Sequence, residues 1–305
     1  MSSTVPDPYV REVAEGIFAY IQPDGTWFLN NAGFLVGSRG VAMVDQCGTE
    51  QRARALFDRV REPGGRPVHT LINTHHHADH TFGNFVLPPE TTIVGHRRAR
   101  DEVIATGTGI AAAFQGPDWG EIQISPPFLC FEDRLSLFID DLEVELIHCG
   151  TAAHTTNDIV VWIPERGVLF SGDLIFKGGT PFALQGSVAG WAETLEKLRD
   201  LGAETIVPGH GPICGPEAID EVAAYLAFLQ QTAREGFEAG LEPLELASPT
   251  DLGPFASLTD PERIVGNLHR AYSELRGEPL GTPLALPPII GDMQAYIGGP
   301  IVSHA

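Results

Sequence analysis

Up to about residue 210, apolar and β-branched residues gather in short runs, each closed by glycine, proline, asparagine or aspartate. Such runs predict strands at GIFAYIQ (16–22), AGFLVGS (32–38), GVAMVDQ (40–46), VHTLINT (68–74) and TTIVGH (91–96). Further strands are predicted at LEVELIHC (142–149), DIVVWIP (158–164), GVLFSGD (167–173) and ETIVPGH (204–210). Between them the period lengthens. In QRARALFDRV, Ala53, Leu56, Phe57 and Val60 follow i, i+3, i+4, i+7 and leave Arg52, Arg54, Arg59 and Arg61 mostly outward, which predicts an amphipathic helix. The same spacing recurs at Trp191, Leu195 and Leu198, and at Ile219, Val222, Ala223 and Leu226. Two strand-rich halves with helices between them predict an α/β fold whose sheets pack together under helical layers.

After about residue 222 the strand pattern gives way to helical stretches broken by Pro and Gly, ending in LPPIIGDMQAYIGGPIVSHA. This divides the chain into residues 1–222, a catalytic domain, and 223–305, a helical extension expected to pack on the core and help form the substrate pocket. There is no internal repeat and no low-complexity linker.

Composition narrows the setting. At 305 residues and 43% hydrophobic content the chain can bury a sizeable core. Its formal net charge of -21 repels phosphate backbones and anionic membranes, so neither nucleic acid nor membrane is an expected partner. Cys47, Cys130, Cys149 and Cys214 show no C-x-x-C spacing and suit reduced thiols, leaving any metal to His and Asp. The start, MSSTVPDPYV, has neither a basic head nor an apolar core, and a cytoplasmic location is expected. Oligomeric state, a homo-oligomer included, is not set by the sequence.

The densest chemistry lies in THHHADH (74–80). An extended continuation of the preceding strand would point His75, His77 and Asp79 the same way, with His80 at the turn and His76 facing away as a supporting residue. Neutral imidazole and carboxylate suit Zn²⁺, and one zinc needs only about four ligands, so this loop suggests two metals. His154 in CGTAAHTTND, Asp173 in LFSGD and His210 in VPGHGP supply further donors from other strands. A single histidine at a strand end is ordinarily a satisfied polar group. H-x-H-x-D-H is different, because without a metal it gathers groups that repel when charged and are costly to bury.

THHHADH followed in order by AAH, SGD and PGHG resembles the metallo-β-lactamase superfamily, over roughly residues 12–222. The resemblance implies an αββα sandwich with its metals at one edge. Carried over position by position, it implies His75, His77 and His154 at a first metal, Asp79, His80 and His210 at a second, and Asp173 bridging, with two Zn²⁺ per chain. A water between the ions would then ionise near neutral pH to act as nucleophile or base, and Asp79 would orient it or relay its proton.

That superfamily hydrolyses thioesters, lactones, β-lactams, phosphodiesters and sulfate esters, so fold alone does not choose the substrate. Outside the metal motifs, DWGEI (118–122), TPFALQGSVAGW (180–191), NLHRAY (267–272) and AYIGG (295–299) resemble the second-ring cyclases of bacterial aromatic (type II) polyketide biosynthesis, actinorhodin type. This closer resemblance spans nearly the whole chain. It implies intramolecular aldol closure of a polyketide held on an acyl carrier protein, with thioester hydrolysis in some members. Neither step moves electrons, which suits zinc.

A planar, oxygen-rich substrate needs aromatic walls and a few polar anchors, for which Trp27, Trp119, Phe182, Gln185, His269 and Tyr296 are candidates. Each has a competing structural role: Trp27 and Phe182 as core, His269 as the partner of Glu274 or a neighbour, and Asn84 as a turn residue. An acidic carrier protein would need a local basic patch, from Arg52, Arg54, Arg59 and Arg61 or from Arg97, Arg98 and Arg100. Those arginines also suit an ordinary solvated helix face. The alternatives are a small thioester or lactone hydrolase of the glyoxalase II type, with a small polar pocket, and a metal-binding scaffold without catalysis.

Overall fold

The computed structural model describes residues 5–62 and 65–305. The first four residues of the segment read above as lacking a leader pattern, like residues 63–64, lie outside the described residues.

Strand connections follow from the lengths of chain between them. β1 (Tyr9–Ala14), β2 (Ile17–Ile21), β3 (Ala32–Val36) and β4 (Val41–Val44) pair in order and antiparallel. Beyond β4 the links carry helices, and the pairing becomes parallel. β4 leads through α1 (Glu50–Arg61) to β5 (Val68–Ile72), then through α2 (Ala78–Thr81) to β6 (Thr92–His96). Then follow α3 (Arg97–Thr106), the two-residue β7 (Phe114–Gln115) and β8 (Leu129–Phe131), which closes a seven-stranded sheet.

The second sheet has five strands, ordered β13–β12–β11–β10–β9. They are β9 (Arg134–Ile139), β10 (Leu142–His148), β11 (Ile159–Ile163), β12 (Val168–Phe176) and β13 (Thr205–His210). Only β12–β13 is parallel, joined by α4 (Val188–Asp200).

Alternation decides which side chains meet. Ile17, Ala19 and Ile21 of β2 face the second sheet, where Val144, Leu146, Val161 and Phe170 receive them. Tyr20 on the other face joins Phe34, Met43 and Leu71 under Ala53, Leu56 and Val60 of α1. Thr49 caps that helix by accepting from the Arg52 amide, while Glu50 and Arg59 sit at the ends that suit their charges. On the far side Trp162, Leu169 and Ile206 lie under Trp191 and Leu195 of α4. The result is an αββα sandwich.

All nine predicted runs contain strands. The strands that pattern reading passed over are β1, β9, β8 and the short β7 and β14 (Ile301–Val302). β1 and β9 are edge strands that carry exposed charge, such as Arg11, Glu12 and Arg134, which dilutes the apolar signal.

The helical remainder is α5 (Glu217–Ala239), α6 (Pro243–Ala247), α7 (Arg263–Leu275) and α8 (Leu286–Ile297). Position 222, where the strand pattern fades, lies inside α5, so one helix runs through it. Leu226, Leu229, Ile264, Leu268 and Met293 share the hydrophobic cluster of Trp191 and Ile206, so the late helices extend that core. Among the described residues no helix is long and apolar enough to cross a membrane.

The sheets touch closely at Gly33, where an added Cβ would stand 2.1 Å from the Phe170 ring. Gly33→Ala should therefore destabilise the protein by about 1–3 kcal/mol through overpacking, measured by denaturant unfolding. An unchanged midpoint would mean that the sheets can part at no cost.

Candidate metal centre

The donors converge at one edge of the sandwich, from both sheets. The chain leaves β5 at Ile72 and does not continue extended; it bends through residues 74–76 and turns into α2, with His77 as the N-cap residue. This corrects the alternation expected for Asp79. The helical turn, not strand periodicity, aims Asp79 and His80 at a second donor group, although the His80 ring stays 4.3 Å from that of His75. Asp173 likewise does not end its strand: β12 runs on to Phe176, with register shifts around Gly172 that re-aim the backbone.

Two groups of donor atoms result, each with its atoms within 4.8 Å of one another: His75, His77, His154 and Asp173, and Asp79, His80, Asp173 and His210. Asp173 belongs to both. Its Oδ2 lies 3.4 Å from His154 Nε2 and 3.4 Å from His210 Nε2, and its Oδ1 lies 3.1 Å from His80 Nε2. Asp79 Oδ2 is 3.2 Å from His210 Nε2. His76 is in neither group; its Nδ1 lies 3.0 Å from Asn157 Nδ2.

Each ring is held from behind. His75 Nδ1 meets Thr74 Oγ1 at 3.0 Å, His77 Nε2 meets Gln185 Oε1 at 2.8 Å, and His80 Nδ1 meets Asp45 Oδ2 at 2.8 Å. His154 Nδ1 and His210 Nδ1 donate to the carbonyls of Phe182 and Gly25, at 2.6 and 2.9 Å. Such outer contacts fix which nitrogen faces inward. The inward atoms are left short of partners: His75 Nε2, His80 Nε2 and Asp173 Oδ1 are buried and make no hydrogen bond. Orphaned polar atoms are costly, and a pair of divalent cations satisfies them all. The residues present fit a dinuclear zinc site of nitrogen and carboxylate donors.

The protein's own charges divide the histidines. Burial, then the neighbouring His80, hold His75 well below the ordinary imidazole value. Burial, then His154, do the same to His77. For His80 burial works against charge, yet Asp173, Asp45 and Asp79 outweigh it and raise the group well above 6.5. His210 is similarly pushed up to about 9, against burial, by Asp173 and Asp79. Both carboxylates are in turn lowered in spite of burial, Asp173 by His210 and His80, Asp79 by His80 and His210.

Sequence reasoning missed Asp45. At the end of β4, with φ of +60°, it accepts from the amide and hydroxyl of Thr74, both at 2.7 Å, as well as from His80. Its signal was an acidic residue closing an apolar run in VAMVDQ. Gly209 is equally constrained: a Cβ there would stand 1.8 Å from Asp173 Oδ1, so only glycine lets β13 pass the shared carboxylate.

The centre opens into a cavity of about 660 Å³. Trp27, Phe114, Phe182, Ile290 and Met293 form its apolar walls; Gln185, Gln294 and Asp79 are among its few polar groups. Of the substrate-contact candidates, Trp27, Phe182 and Gln185 line this space, whereas Trp119, His269 and Tyr296 do not. Trp119 stands behind the wall, its ring 4.7 Å from that of Phe28. His269 is spent on Asp292 across α7 and α8, at 2.8 Å, and Tyr296 packs on the helix-side core. Trp27 is fixed by its neighbours: Nε1 donates to Glu262 at 2.6 Å, and the buried Arg263 guanidinium lies 4.0 Å over its ring. Asn84 holds Asn73 and the Ser125 carbonyl beneath the loop.

The arginines proposed as a basic patch are engaged within the chain. Arg54 pairs with Glu50, Arg59 with Glu62 and Arg97 with Glu132. Arg52 reaches Gln22, Arg61 lies over Phe57, and Arg98 and Arg100 donate to the carbonyls of Thr156 and Pro127.

Two facing sheets, outer helices and paired donor groups at one edge define a metal-binding αββα protein. The sequence profile of the Metallo-beta-lactamase superfamily matches residues 25–210, and the chain belongs to that superfamily, whose members are generally zinc-binding hydrolytic enzymes. It is 24% identical over 299 residues to a linear primary-alkylsulfatase of a Pseudomonas species, covering 82% of this chain and 56% of the relative. It is 31% identical over 153 residues to a hydroxyacylglutathione hydrolase of Rhodospirillum rubrum, covering 50% of each. The chain thus spans about half the length of these curated relatives. Among solved structures, a metallo-beta-lactamase from Pontibacter korlensis matches with TM-score 0.61 at 16% identity, over 72% of this chain and 99% of that one, a likeness of fold.

Asp45→Asn should weaken zinc binding by about tenfold or more through His80, measured by competition with a chromophoric chelator; wild-type affinity would remove Asp45 from the centre. For the metal-free chain the histidine shifts have opposite signs. His75 and His77, held below 6.5, cost stability as pH falls below that value. His210, raised to about 9, contributes stability that is full below 6.5 and lost as pH rises through about 9. The melting temperature of chelator-treated protein should peak near pH 6.5 and decline toward 9, and a flat profile would contradict the charge arrangement.

Proposed function

We propose that the chain is a dinuclear zinc enzyme that closes a ring in an aromatic polyketide intermediate by intramolecular aldol condensation, with thioester hydrolysis as a second outcome. The substrate is presented on an acyl carrier protein. The observation that carries this reading is the meeting of two donor groups with a roomy cavity walled by aromatic and aliphatic side chains. A planar chain of ketones matches such walls; a small polar thioester calls for neither the volume nor the surface.

When bound, the two zinc ions supply Lewis acidity toward carbonyl oxygens and acidify water. The chain's own residues supply the rest. Trp27 and Phe182, in edge-to-face contact at 5.2 Å, exclude water and press a planar substrate toward the donor edge. Asp79 lines the cavity with its carboxyl held below the usual range, so it is ionised at neutral pH. In this reading it takes the proton from an acidic methylene flanked by two carbonyls, the step that makes the carbon nucleophilic.

A second reading is hydrolysis of thioesters or lactones alone, which the likeness to a protein named for hydrolysing hydroxyacylglutathione supports. A monocyclic polyketide thioester mimic separates the two. The zinc-loaded protein should yield a bicyclic product by mass spectrometry, and chelation should abolish it. Release of the acid without ring closure would favour the hydrolase. Identical products with and without enzyme would overturn both.

A further inference from the structure

Helix α7 turns four polar side chains toward one stretch of backbone. Arg263, Asn267, Arg270 and Glu274 follow i, i+4, i+7, i+11 on a single face. Arg263 donates to the Thr180 carbonyl at 2.9 Å. Asn267 donates to the Pro181 carbonyl at 2.8 Å and accepts from the Ala183 amide at 2.7 Å. Arg270 donates to the Leu184 carbonyl at 2.7 Å, and Glu274 accepts from the amides of Val188 and Ala189 at 2.7 and 3.1 Å. Residues 180–189 are thereby gripped along their length.

From that stretch two acceptors reach the first donor group. The Phe182 carbonyl meets His154 Nδ1, and Gln185 Oε1 meets His77 Nε2 at 2.8 Å. The amide nitrogen of Gln185 lies 3.4 Å from His76 Nε2, which keeps its oxygen turned toward His77. A neutral imidazole carries one proton; an acceptor behind Nε2 holds it there and leaves the Nδ1 lone pair free. His77 Nδ1 is the inward atom, 2.8 Å from His154 Nε2. The other four rings lean on Thr74, Asp45 and two backbone carbonyls. His77 alone leans on a side chain of the cavity wall.

We propose that Gln185 is a positioning residue for the first metal position, holding His77 in the tautomer that offers Nδ1. Helix α7, by clamping residues 180–189, becomes a support of the metal centre. The proposal rests on the zinc reading of the two donor groups and is independent of the substrate.

The test uses the full chain without substrate, comparing wild type, Gln185→Leu and Gln185→Glu. Zinc affinity is measured by chelator competition, and absorption spectra are taken after Co²⁺ loading. Gln185→Leu should weaken one of two zinc ions by about 10–100-fold, leave the other unchanged and alter the cobalt spectrum. Gln185→Glu keeps an acceptor and should restore both readouts. A wild type that takes up no zinc pair would overturn the zinc reading, and this proposal with it. Two zinc ions in wild type, bound as tightly by the Leu variant with an unchanged spectrum, would overturn the Gln185 role alone. So would a Glu variant as weak as the Leu variant, since the effect would then be packing.

Discussion

Five imidazoles and two carboxylates, all but His77 buried, are gathered in two overlapping groups at one edge of the sandwich. Such a set repels itself when protonated and leaves lone pairs unmet when neutral, so the surroundings must prevent its collapse into ordinary hydrogen bonds. Asp173 is the centre of the problem, because atoms of His80, His154 and His210 all approach its oxygens. The donors come from both sheets: the loop after β5 belongs to one, β12 and β13 to the other. Their separation is therefore set by how the sheets pack, and the contact of Gly33 with Phe170 is as much a condition of the site as any ligand.

Around that centre the molecule spends its polar groups on orientation. Each ring has a fixed partner behind it, and Asp45 ties the loop after β5 to the end of β4 through Thr74 and His80 together. Rigidity at this edge contrasts with the cavity, whose walls are mostly apolar and ask little of hydrogen bonding. The division leaves the donor groups prearranged and the cavity wall selective mainly through shape and apolar surface.

The late helices serve both parts. α8 contributes Ile290, Met293 and Gln294 to the cavity. Glu262, just before α7, accepts from Trp27, and Arg263 at the start of α7 stacks on the same ring, fixing that wall from the far end of the sequence. The same helix continues along residues 180–189, which support His77 and His154. Cavity wall and support of the donor groups are thus two products of one packing event.

Much of this was legible in the chain itself. Continuous apolar runs placed the interior strands, because a strand buried on both faces writes its environment into consecutive apolar residues. H-x-H-x-D-H identified the loop, since few purposes tolerate that density of donors. Edge strands β1 and β9 escaped, having charge where interior strands have none. Strand alternation was also the wrong reason for grouping the ligands, as α2 aims Asp79 and His80 at a second donor group. Of the proposed wall residues, Trp119, His269 and Tyr296 were misplaced because aromatic or ionisable character says nothing about which side of a helix or loop meets a cavity. Residue types and their spacing determined which chemistry the chain can hold, because ligand identity is local. Tertiary structure decided how the donors divide, which of Gln185's neighbours it serves, and what the cavity admits, because those depend on distances between segments far apart in the chain, 108 residues for His77 and Gln185.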